Sequence, residues 1–183
     1  NYQSFLLVSR KEEYVDKRGD PKSLFWKLDF ILDDRRMPGW LRPGIDRKHM
    51  HLFNEETSST INGESTTGDV ARGDRRTAIL LDEFASVDNG HAALASTGDA
   101  TNCRIFNSTP KGSGNAFYDV AHGNMKKIRF HWSSHPEKMQ DSYVDAAGKT
   151  RSPWYDEECE RRTSPVEIAQ EIDIDYLGSD HQF

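Results

Sequence analysis

Short apolar runs recur along the chain, and polar or turn-forming residues separate them. The runs with the length and composition of β-strands lie at residues 5–8, 49–53, 77–81, 103–106 and 128–132. Between them, residues 21–32 carry apolar side chains at helical spacing behind a first-turn proline, and residues 88–100 supply a crossover helix. This alternation of strands and helices predicts an α/β fold with a parallel sheet.

Two regions depart from this alternation. Residues 55–74 are rich in Thr, Ser and Gly, and they predict an excursion with only a brief strand at residues 60–62. Residues 153–162 and 165–172 predict two short helices, since a Ser-Pro pair opens each of them and suits an N-cap and a first helical position. A length of 183 residues fits one domain.

Composition and charge narrow the function classes. The chain has 24 basic and 30 acidic residues and a formal net charge of -6, which argues against a surface that coats nucleic acid by charge alone. Cys103 and Cys159 lie far apart, so neither a disulfide framework nor a zinc knuckle is indicated. No apolar run approaches the roughly 20 residues of a membrane span. We therefore expect a reducing, cytosolic setting and no membrane partner.

An acidic pair follows one of the apolar runs directly. Residues 77–81 form the run, and Asp82 and Glu83 come immediately after it. In a parallel sheet the carboxyl ends of the strands face the nucleotide crevice, so Asp82 is placed to hold magnesium and Glu83 to polarise an attacking water. The same pattern also fits a buried strand followed by a solvated acidic turn.

A polar, glycine-containing stretch follows the next run. Residues 103–106 lead into Asn107, Ser108, Thr109 and Pro110, and residues 111–115 read Lys-Gly-Ser-Gly-Asn. Small hydroxyl and amide groups at a strand end suit a γ-phosphate sensor, and the glycines permit close approach of backbone or phosphate. An ordinary surface turn has the same composition. The position one strand after the acidic pair predicts acids and sensor on neighbouring strands.

Together these features resemble the large subunit of the tailed-bacteriophage terminases. The resemblance rests on the acidic strand end, on residues 107–115, and on the Ala71-Arg72-Gly73 sequence upstream. Residues 6–13 also resemble the strand and turn that follow the phosphate-loop helix in that family, so the likeness extends over most of the chain. It implies a P-loop NTPase core of the ASCE type that hydrolyses ATP with Mg²⁺ and drives DNA into a capsid.

The resemblance also implies roles for single residues. It assigns Ser108, Thr109 and Pro110 to the motif that couples the ATP state to domain motion, with Ser108, Thr109 and Asn115 as candidate nucleotide contacts. It further implies an arginine supplied to a neighbouring subunit. Arg72 matches that position, and its guanidinium suits phosphate oxygens because its charge is fixed and its fork is planar.

Two further arginines are candidates for the role of the arginine that acts on a neighbouring subunit. Arg75 and Arg76 are the local competitors of Arg72, although three arginines in five residues also suit a solvated loop.

By resemblance, the partners of the complete protein are double-stranded DNA, the portal protein, the terminase small subunit and further copies in a ring. The implied location is the host cytoplasm, with transient binding at the portal vertex of the procapsid.

The chain departs from the family pattern in two ways. No Gly-x-x-x-x-Gly-Lys-Ser/Thr phosphate loop occurs in the 183 residues, so we expect a core truncated before that loop and poor ATP binding by the chain alone. The carboxylate-rich nuclease domain of the family is also missing. We expect residues 1–176 to form a partial ATPase domain, residues 177–183 to begin the linker to an absent nuclease domain, and the fragment to be inactive.

Three other interpretations stay open from the sequence. The acidic pair and the polar strand end also occur in other ring or helicase-like P-loop ATPases, and a non-catalytic interaction domain derived from an ATPase is a rival of another class.

His49 and His51 share one face of the predicted strand at residues 49–53 and are a candidate metal pair, as are His131 and His135. Neither pair has a third ligand at useful spacing, which favours structural roles.

Overall fold

The structure consists of two compact units. It is a computed structural model that describes residues 2–33, 35–66, 70–71 and 73–180. The first unit is Asn1–Ser108 and the second is Thr109–Phe183. The regular elements of the first unit are β1 (Ser4–Ser9), α1 (Glu12–Val15), α2 (Leu24–Ile31), β2 (Ile45–Lys48), β3 (His51–Asn54), β4 (Ser59–Ser65), β5 (Ala78–Asp82), α3 (Gly90–Ala100) and β6 (Arg104–Asn107).

A six-stranded sheet forms the centre of the first unit, with the strand order β2-β3-β4-β1-β5-β6. Strands β4, β1, β5 and β6 run parallel, whereas β2, β3 and β4 form an antiparallel meander. Helix α3 is the crossover between β5 and β6. The predicted α/β fold with a mostly parallel sheet is confirmed, and the carboxyl ends of four strands meet at one edge.

Burial explains why the central strands form. Leu6 and Val8 of β1 and Ile79 of β5 are fully buried, and Leu81 is nearly so. These alternate residues point to one face of the sheet, where their apolar side chains leave water together. The apolar runs at residues 5–8, 77–81 and 103–106 therefore appear as strands close to the predicted positions.

The opposite side of the sheet packs against the two short helices. Val15 of α1, Phe25 of α2 and Leu52 of β3 form a buried cluster there. Gly63 of β4 permits this packing, because a Cβ atom at that position would lie 2.7 Å from both Met50 Sδ and Val15 Cγ1. The glycine in this polar strand is thus required by the close approach of its neighbours.

Two predicted elements of the first unit differ from the structure. The strand predicted at residues 49–53 was wrong in its bounds, because His49 and Met50 form the turn between β2 and β3, and Met50 adopts a positive φ of 55°. The brief strand predicted at residues 60–62 is the seven-residue β4. Its polar side chains do not prevent pairing, since β4 lies between β1 and β3 and hydrogen-bonds to both.

A partly buried ion-pair network joins α1, α2 and the meander. Arg47 Nη2 lies 2.8 Å from Asp16 Oδ1, Arg47 Nε lies 2.9 Å from Asp29 Oδ1, and the Asp16 side chain is only 6% exposed. Burial alone would raise the pKa of Asp16. Hydrogen bonds from Arg47 and from the backbone N–H of Met50 outweigh burial and hold that pKa below its ordinary value.

Asp16→Asn is expected to lower the free energy of unfolding by about 2 kcal/mol at pH 7, because it leaves Arg47 with a weakened partner. The contribution of Asp16 to the free energy of unfolding is fully present above the pKa of the unfolded state, about 3.9. It is lost as the pH falls through the lower pKa of the folded state. The difference between the two proteins should therefore shrink below about pH 4. Denaturant titrations at pH 7 and pH 3 measure this. Asp46→Asn, which breaks only the exposed pair with Lys48, is the matched control, and an equal effect of both variants would contradict the expectation.

The second unit is mainly helical. Its elements are α4 (Ala116–His122), a 3₁₀ turn (Trp132–Ser134), β7 (Tyr143–Val144), β8 (Thr150–Arg151), α5 (Pro153–Arg161), α6 (Pro165–Ile168) and a π-helical turn (Ala169–Asp173). Trp132, Tyr155 and Ile172 form its buried cluster. Within the part of the chain that the structure describes, no helix has the length and apolar character needed to cross a membrane.

Two predictions for the second unit have opposite outcomes. The Ser-Pro helix starts are confirmed, because Ser152 accepts a hydrogen bond from the Tyr155 N–H and Ser164 accepts one from the Glu167 N–H. The strand predicted at residues 128–132 is wrong. Residues 128–131 lie outside helix and strand, and Ile128 and Phe130 are 76% and 86% exposed.

Candidate functional site

The predicted acidic pair lies at the carboxyl end of β5, between β1 and β6. Asp82 is the last residue of β5, and Glu83 follows in a left-handed conformation with φ 51° and ψ 38°. Such a conformation is disfavoured for a residue with a long side chain. The turn is fixed by the residues that follow, since Phe84 and Ala85 are buried. The chain thus turns sharply after the strand and leaves the Glu83 side chain 49% exposed at the sheet edge.

Asp82 is held by a residue at the end of the neighbouring strand. Asp82 and Asn107 are partners in the register of β5 and β6, and Asn107 Nδ2 donates a hydrogen bond of 2.6 Å to Asp82 Oδ1. The amide thereby fixes the orientation of the carboxylate. Asn107 was not among the predicted site residues. Its position at the same strand end as Asp82 was the signal in the sequence.

Glu83 contacts a cation that the sequence did not single out. Arg10 directly follows β1, and its Nε lies 2.9 Å from Glu83 Oε2. The N–H of Arg10 is not aligned for a hydrogen bond, so the contact is an ion pair. Both side chains are more than a third exposed, and solvent screens their attraction. The Glu83 carboxylate therefore lies towards β1 in this structure, held by a weak and breakable contact.

The polar stretch after β6 contributes to both units. Ser108 Oγ accepts a hydrogen bond of 3.1 Å from the backbone N–H of Ala85, so Ser108 ties the end of β6 to the turn that follows Glu83. Asp82, Glu83 and Ser108 are thus brought together at one edge of the first unit. Thr109 begins the second unit, where its hydroxyl donates to Glu171 Oε1 at 3.3 Å.

The glycine-containing segment is built into the second unit. Asn115 is the N-cap of α4, because its Oδ1 accepts from the Tyr118 N–H and its Nδ2 donates to the Lys111 carbonyl at 2.7 Å. Gly112 donates its N–H to Ser179 Oγ, and a Cβ at Gly112 would lie 2.7 Å from Asp180 Oδ1. The close approach that Gly112 permits is therefore to protein atoms of Ser179 and Asp180. The role of Asn115 in nucleotide binding stays a prediction.

The three candidate arginines have different environments. Arg72 lies outside the described residues. Arg75 is exposed. Arg76 is tied to the opposite edge of the sheet, where its Nη1 donates to Ser4 Oγ at 2.9 Å, and its side chain is only 8% exposed. Arg76 therefore has a structural role, which leaves Arg72 and Arg75 as candidates for contact with a phosphate.

The histidine pair predicted at residues 49–53 does not form. His49 lies in the turn between β2 and β3 with its Nε2 2.8 Å from Glu12 Oε1, whereas His51 Nδ1 lies 2.6 Å from Asn62 Oδ1. The two residues do not share a strand face because the chain turns between them. Among residues 2–33, 35–66, 70–71 and 73–180, no group of three or more His, Cys, Asp or Glu side chains is placed to hold a metal. The role of Asp82 as a magnesium ligand stays a prediction, which is compatible with a single carboxylate because Mg²⁺ keeps several waters and takes one or two carboxylates.

Comparison with known proteins gives matches at the level of structure. No family model and no curated protein matches the sequence. The large terminase from a thermophilic bacteriophage is similar with a TM-score of 0.63 and 11% identity, over 97% of this chain and 41% of that chain. The same protein in complex with ATP-gamma-S also has a TM-score of 0.63, at 12% identity, over 97% of this chain and 40% of that chain.

A second phage protein matches over a larger share of its length. The ATPase domain of the Thermus phage P74-26 large terminase has a TM-score of 0.60 and 16% identity, over 96% of this chain and 77% of that chain. This chain thus spans less than half of the first terminase and most of the P74-26 ATPase domain. The chain has a mixed α/β fold with a mostly parallel sheet in its first unit. This fold matches the ATPase domains of phage large terminases.

Proposed function

We propose that this chain is part of the ATPase motor of a viral DNA-packaging terminase, which couples ATP hydrolysis to the movement of double-stranded DNA into a procapsid. The observation that carries the proposal is the acidic pair Asp82–Glu83 at the carboxyl end of a parallel strand, with Asn107 and Ser108 at the end of the next strand. Polar groups at this edge suit phosphoryl transfer. The fold of the chain supports the same assignment.

Each residue of the site has a separate task in this proposal. Glu83 orients and polarises the water that attacks the γ-phosphate, which requires its carboxylate to leave Arg10. Ser108 connects the end of β6 with the turn after Glu83, so that a change at the phosphate reaches both strand ends. Asn107 keeps the Asp82 carboxylate oriented.

Magnesium and ATP fit the groups at this edge. Asp82 Oδ1 is already engaged by Asn107, and the half-buried carboxylate suits a water-mediated contact with Mg²⁺. When bound, the ion neutralises the charge that develops on the phosphate oxygens. A similar large terminase was solved in complex with ATP-gamma-S and with ADP, which supports a nucleotide as the ligand of this fold.

The proposed motor requires a phosphate loop that these 183 residues do not supply. The Gly-x-x-x-x-Gly-Lys-Ser/Thr motif is absent from the sequence, and we propose that another part of the gene product provides the phosphate loop. In this proposal residues 1–176 belong to the motor and residues 177–183 begin a linker. The partners are DNA, the portal protein, the small subunit and further copies in a ring, at the procapsid portal vertex in the host cytoplasm.

A second candidate is a non-catalytic interaction domain that keeps the fold of an ATPase. The missing phosphate-loop motif and the pairing of Glu83 with Arg10 favour it. The two proposals predict different properties of the whole gene product. Only a motor needs a phosphate loop there, and only a motor loses ATP hydrolysis when Asp82 or Glu83 is changed.

The 183-residue chain alone is expected to show no appreciable ATP hydrolysis, because its acids cannot act on a triphosphate that no phosphate loop holds. The complete gene product is expected to hydrolyse ATP at roughly 1 per second or faster. A phosphate-release assay on both proteins at equal concentration measures this, with Glu83→Ala as the control for contaminating ATPases. Absence of hydrolysis and of ATP-gamma-S binding by the gene product would favour the interaction domain.

A further inference from the structure

The direction of the Glu83 carboxylate depends on the backbone from which the side chain extends. Its contact with Arg10 is a screened ion pair between exposed groups, which does not fix the side chain. The direction of its Cα–Cβ bond is set by the backbone, which is left-handed at Glu83. A residue with a long side chain keeps that backbone only where its surroundings impose it. The contacts that impose it therefore help to determine where the carboxylate points.

Two contacts from the end of β6 hold the short 3₁₀ turn that follows Glu83. One is the hydrogen bond from the Ala85 N–H to Ser108 Oγ. The other is an aromatic pair, because the rings of Phe84 and Phe106 have centroids 4.8 Å apart and planes inclined by 51°. This is a favourable separation for two aromatic rings. The two residues directly after Glu83 are thus both tied to the neighbouring strand.

The aromatic pair lies in the core below the sheet edge. Phe106 is level with Leu81 of β5, so its side chain points to the face of the sheet on which Leu81 and Val8 are buried. Phe84 is only 1% exposed, and its ring is therefore closed off from any molecule bound at the edge. The pair can affect a reaction at the edge only through the backbone of the turn.

A second residue of β6 contacts the ring of Phe106. Arg104 Cζ lies 5.6 Å from the centroid of that ring, a distance at which a guanidinium is attracted to an aromatic face. Arg104 Nη1 also donates a hydrogen bond of 2.7 Å to the carbonyl of Leu94 in α3. Contacts therefore run without a break from α3 through Phe106 to Phe84, and they fix the ring against which the turn packs.

We propose that Phe106, through its ring contact with Phe84, is a positioning residue that holds Glu83 in the left-handed backbone from which its carboxylate reaches the attacking water. This inference rests on the proposed function. Without the pair, the hydrogen bond to Ser108 holds only one atom of the turn, and Glu83 relaxes towards the backbone that glutamate favours. The carboxylate then points in another direction.

Phe106→Leu removes the ring and keeps an apolar side chain. In the complete gene product it is expected to reduce kcat for ATP hydrolysis by roughly ten- to a hundredfold, because a displacement of about 1 Å at a reacting group costs this much. The affinity for ATP-gamma-S should change by less than about threefold, since the nucleotide contacts are not altered. Phe106→Tyr keeps the ring and should keep most of the rate. Phosphate release at varied ATP and titration calorimetry measure both quantities.

Phe25→Leu is the matched control for lost packing. Phe25 is fully buried in the cluster with Val15 and Leu52 on the opposite side of the sheet. The control should lower the unfolding midpoint at least as much as Phe106→Leu does, because Phe106 is only half-buried. It should leave kcat unchanged. A role of Phe106 in stability alone predicts the same result for Phe106→Leu.

A double variant shows whether the two rings act through their contact. Phe84→Leu should reduce kcat as Phe106→Leu does. If both act through one contact, the variant with both changes should be no slower than the slower single variant, whereas independent effects would multiply. Unfolding midpoints of all variants are measured in parallel. Phe106→Met, which fills the space without a ring, provides the test if Phe106→Leu does not fold.

Four results would overturn the inference: a kcat of Phe106→Leu equal to that of Phe25→Leu, a loss confined to nucleotide affinity, a Phe106→Tyr variant as slow as Phe106→Leu, or multiplied losses in the double variant. Failure of the proposed function is distinguishable from these. It would appear as full hydrolysis by Glu83→Ala, whereas an inactive Glu83→Ala together with an unchanged Phe106→Leu would remove only the role of Phe106.

Discussion

Glu83→Ala is expected to reduce ATP hydrolysis by the complete gene product by roughly a hundred- to ten-thousandfold, the range typical of a lost general base. The carboxylate is the only group of the acidic pair that is not fixed by a neighbouring amide, since Asn107 holds Asp82 whereas Glu83 has only the screened ion pair with Arg10. It is therefore the group that is free to reach a water molecule. Steady-state phosphate release measures the loss, with Asp88→Ala in the exposed segment before α3 as the control.

Nucleotide binding is expected to survive the same change. Asp82, its Asn107 partner and the proposed phosphate loop elsewhere in the gene product would not depend on the Glu83 carboxylate, so the affinity for ATP-gamma-S should change by less than about threefold, or roughly 0.7 kcal/mol. Titration calorimetry on the variant and the unchanged gene product measures this. A loss of binding that parallels the loss of hydrolysis would show that Glu83 holds nucleotide or metal and would assign the water to another residue.

Arg72→Ala is expected to reduce hydrolysis by roughly a thousandfold or more, as a lost arginine finger does. In the proposed role the guanidinium would stabilise charge that develops only in the transition state, so the rate should fall with little change in ATP affinity. Arg75→Ala tests the competing candidate, because Arg75 has the same charge, lies three residues away and is exposed, and it is expected to keep most of the hydrolysis. Hydrolysis and ATP-gamma-S affinity are measured on both variants.

Mixing the two inactive variants determines whether Arg72 acts between subunits. In the proposed roles, Glu83→Ala would disable the site of its own subunit, whereas Arg72→Ala would disable the site of the neighbour. A mixed ring would then contain some sites with an intact Glu83 and an intact Arg72, and partial hydrolysis should return. The measurement is hydrolysis by assemblies on procapsids at several mixing ratios. No recovery despite confirmed co-assembly would remove Arg72 from this role, and Arg75 would be the next candidate, because Arg76 is bound to Ser4.

The sequence predicted those strands whose apolar side chains form the core. The runs that became β1, β5 and β6 carry branched and aromatic residues, and the residues of β1 and β5 that point to one face are fully or almost fully buried. The helix between β5 and β6 favours parallel neighbours, and the two strands do pair in parallel. Hydrophobic pattern and connection length were sufficient for this part of the fold.

Strands whose stability comes from pairing were not predictable in the same way. Strand β4 has the sequence Ser-Thr-Ile-Asn-Gly-Glu-Ser, which has low strand propensity, and its position between two partners holds it in the sheet. Residues 128–132 show the converse, since this apolar pattern pairs with no strand: residues 128–131 are irregular and Trp132 begins a 3₁₀ turn. Local sequence does not contain the information about which strands lie next to each other.

The same limit applies to the candidate site. The acids and Ser108 were predictable because they directly follow apolar runs. Asn107 and Arg10 were not assigned, because their contacts depend on the register of β6 and β1 with β5. Register is a property of the assembled sheet, and a shift by one residue would move each of these side chains to the other face.

Because the backbone at Glu83 is left-handed, the residue that the proposed activity requires there is not the residue that best stabilises the fold. A glycine at this position would relieve about 1 kcal/mol of backbone strain, so the change that best stabilises the turn also deletes the carboxylate. Asparagine and aspartate tolerate this backbone better than glutamate does. In a lineage where ATP hydrolysis is no longer under selection, residue 83 should therefore drift towards glycine, asparagine or aspartate before the surrounding strands change.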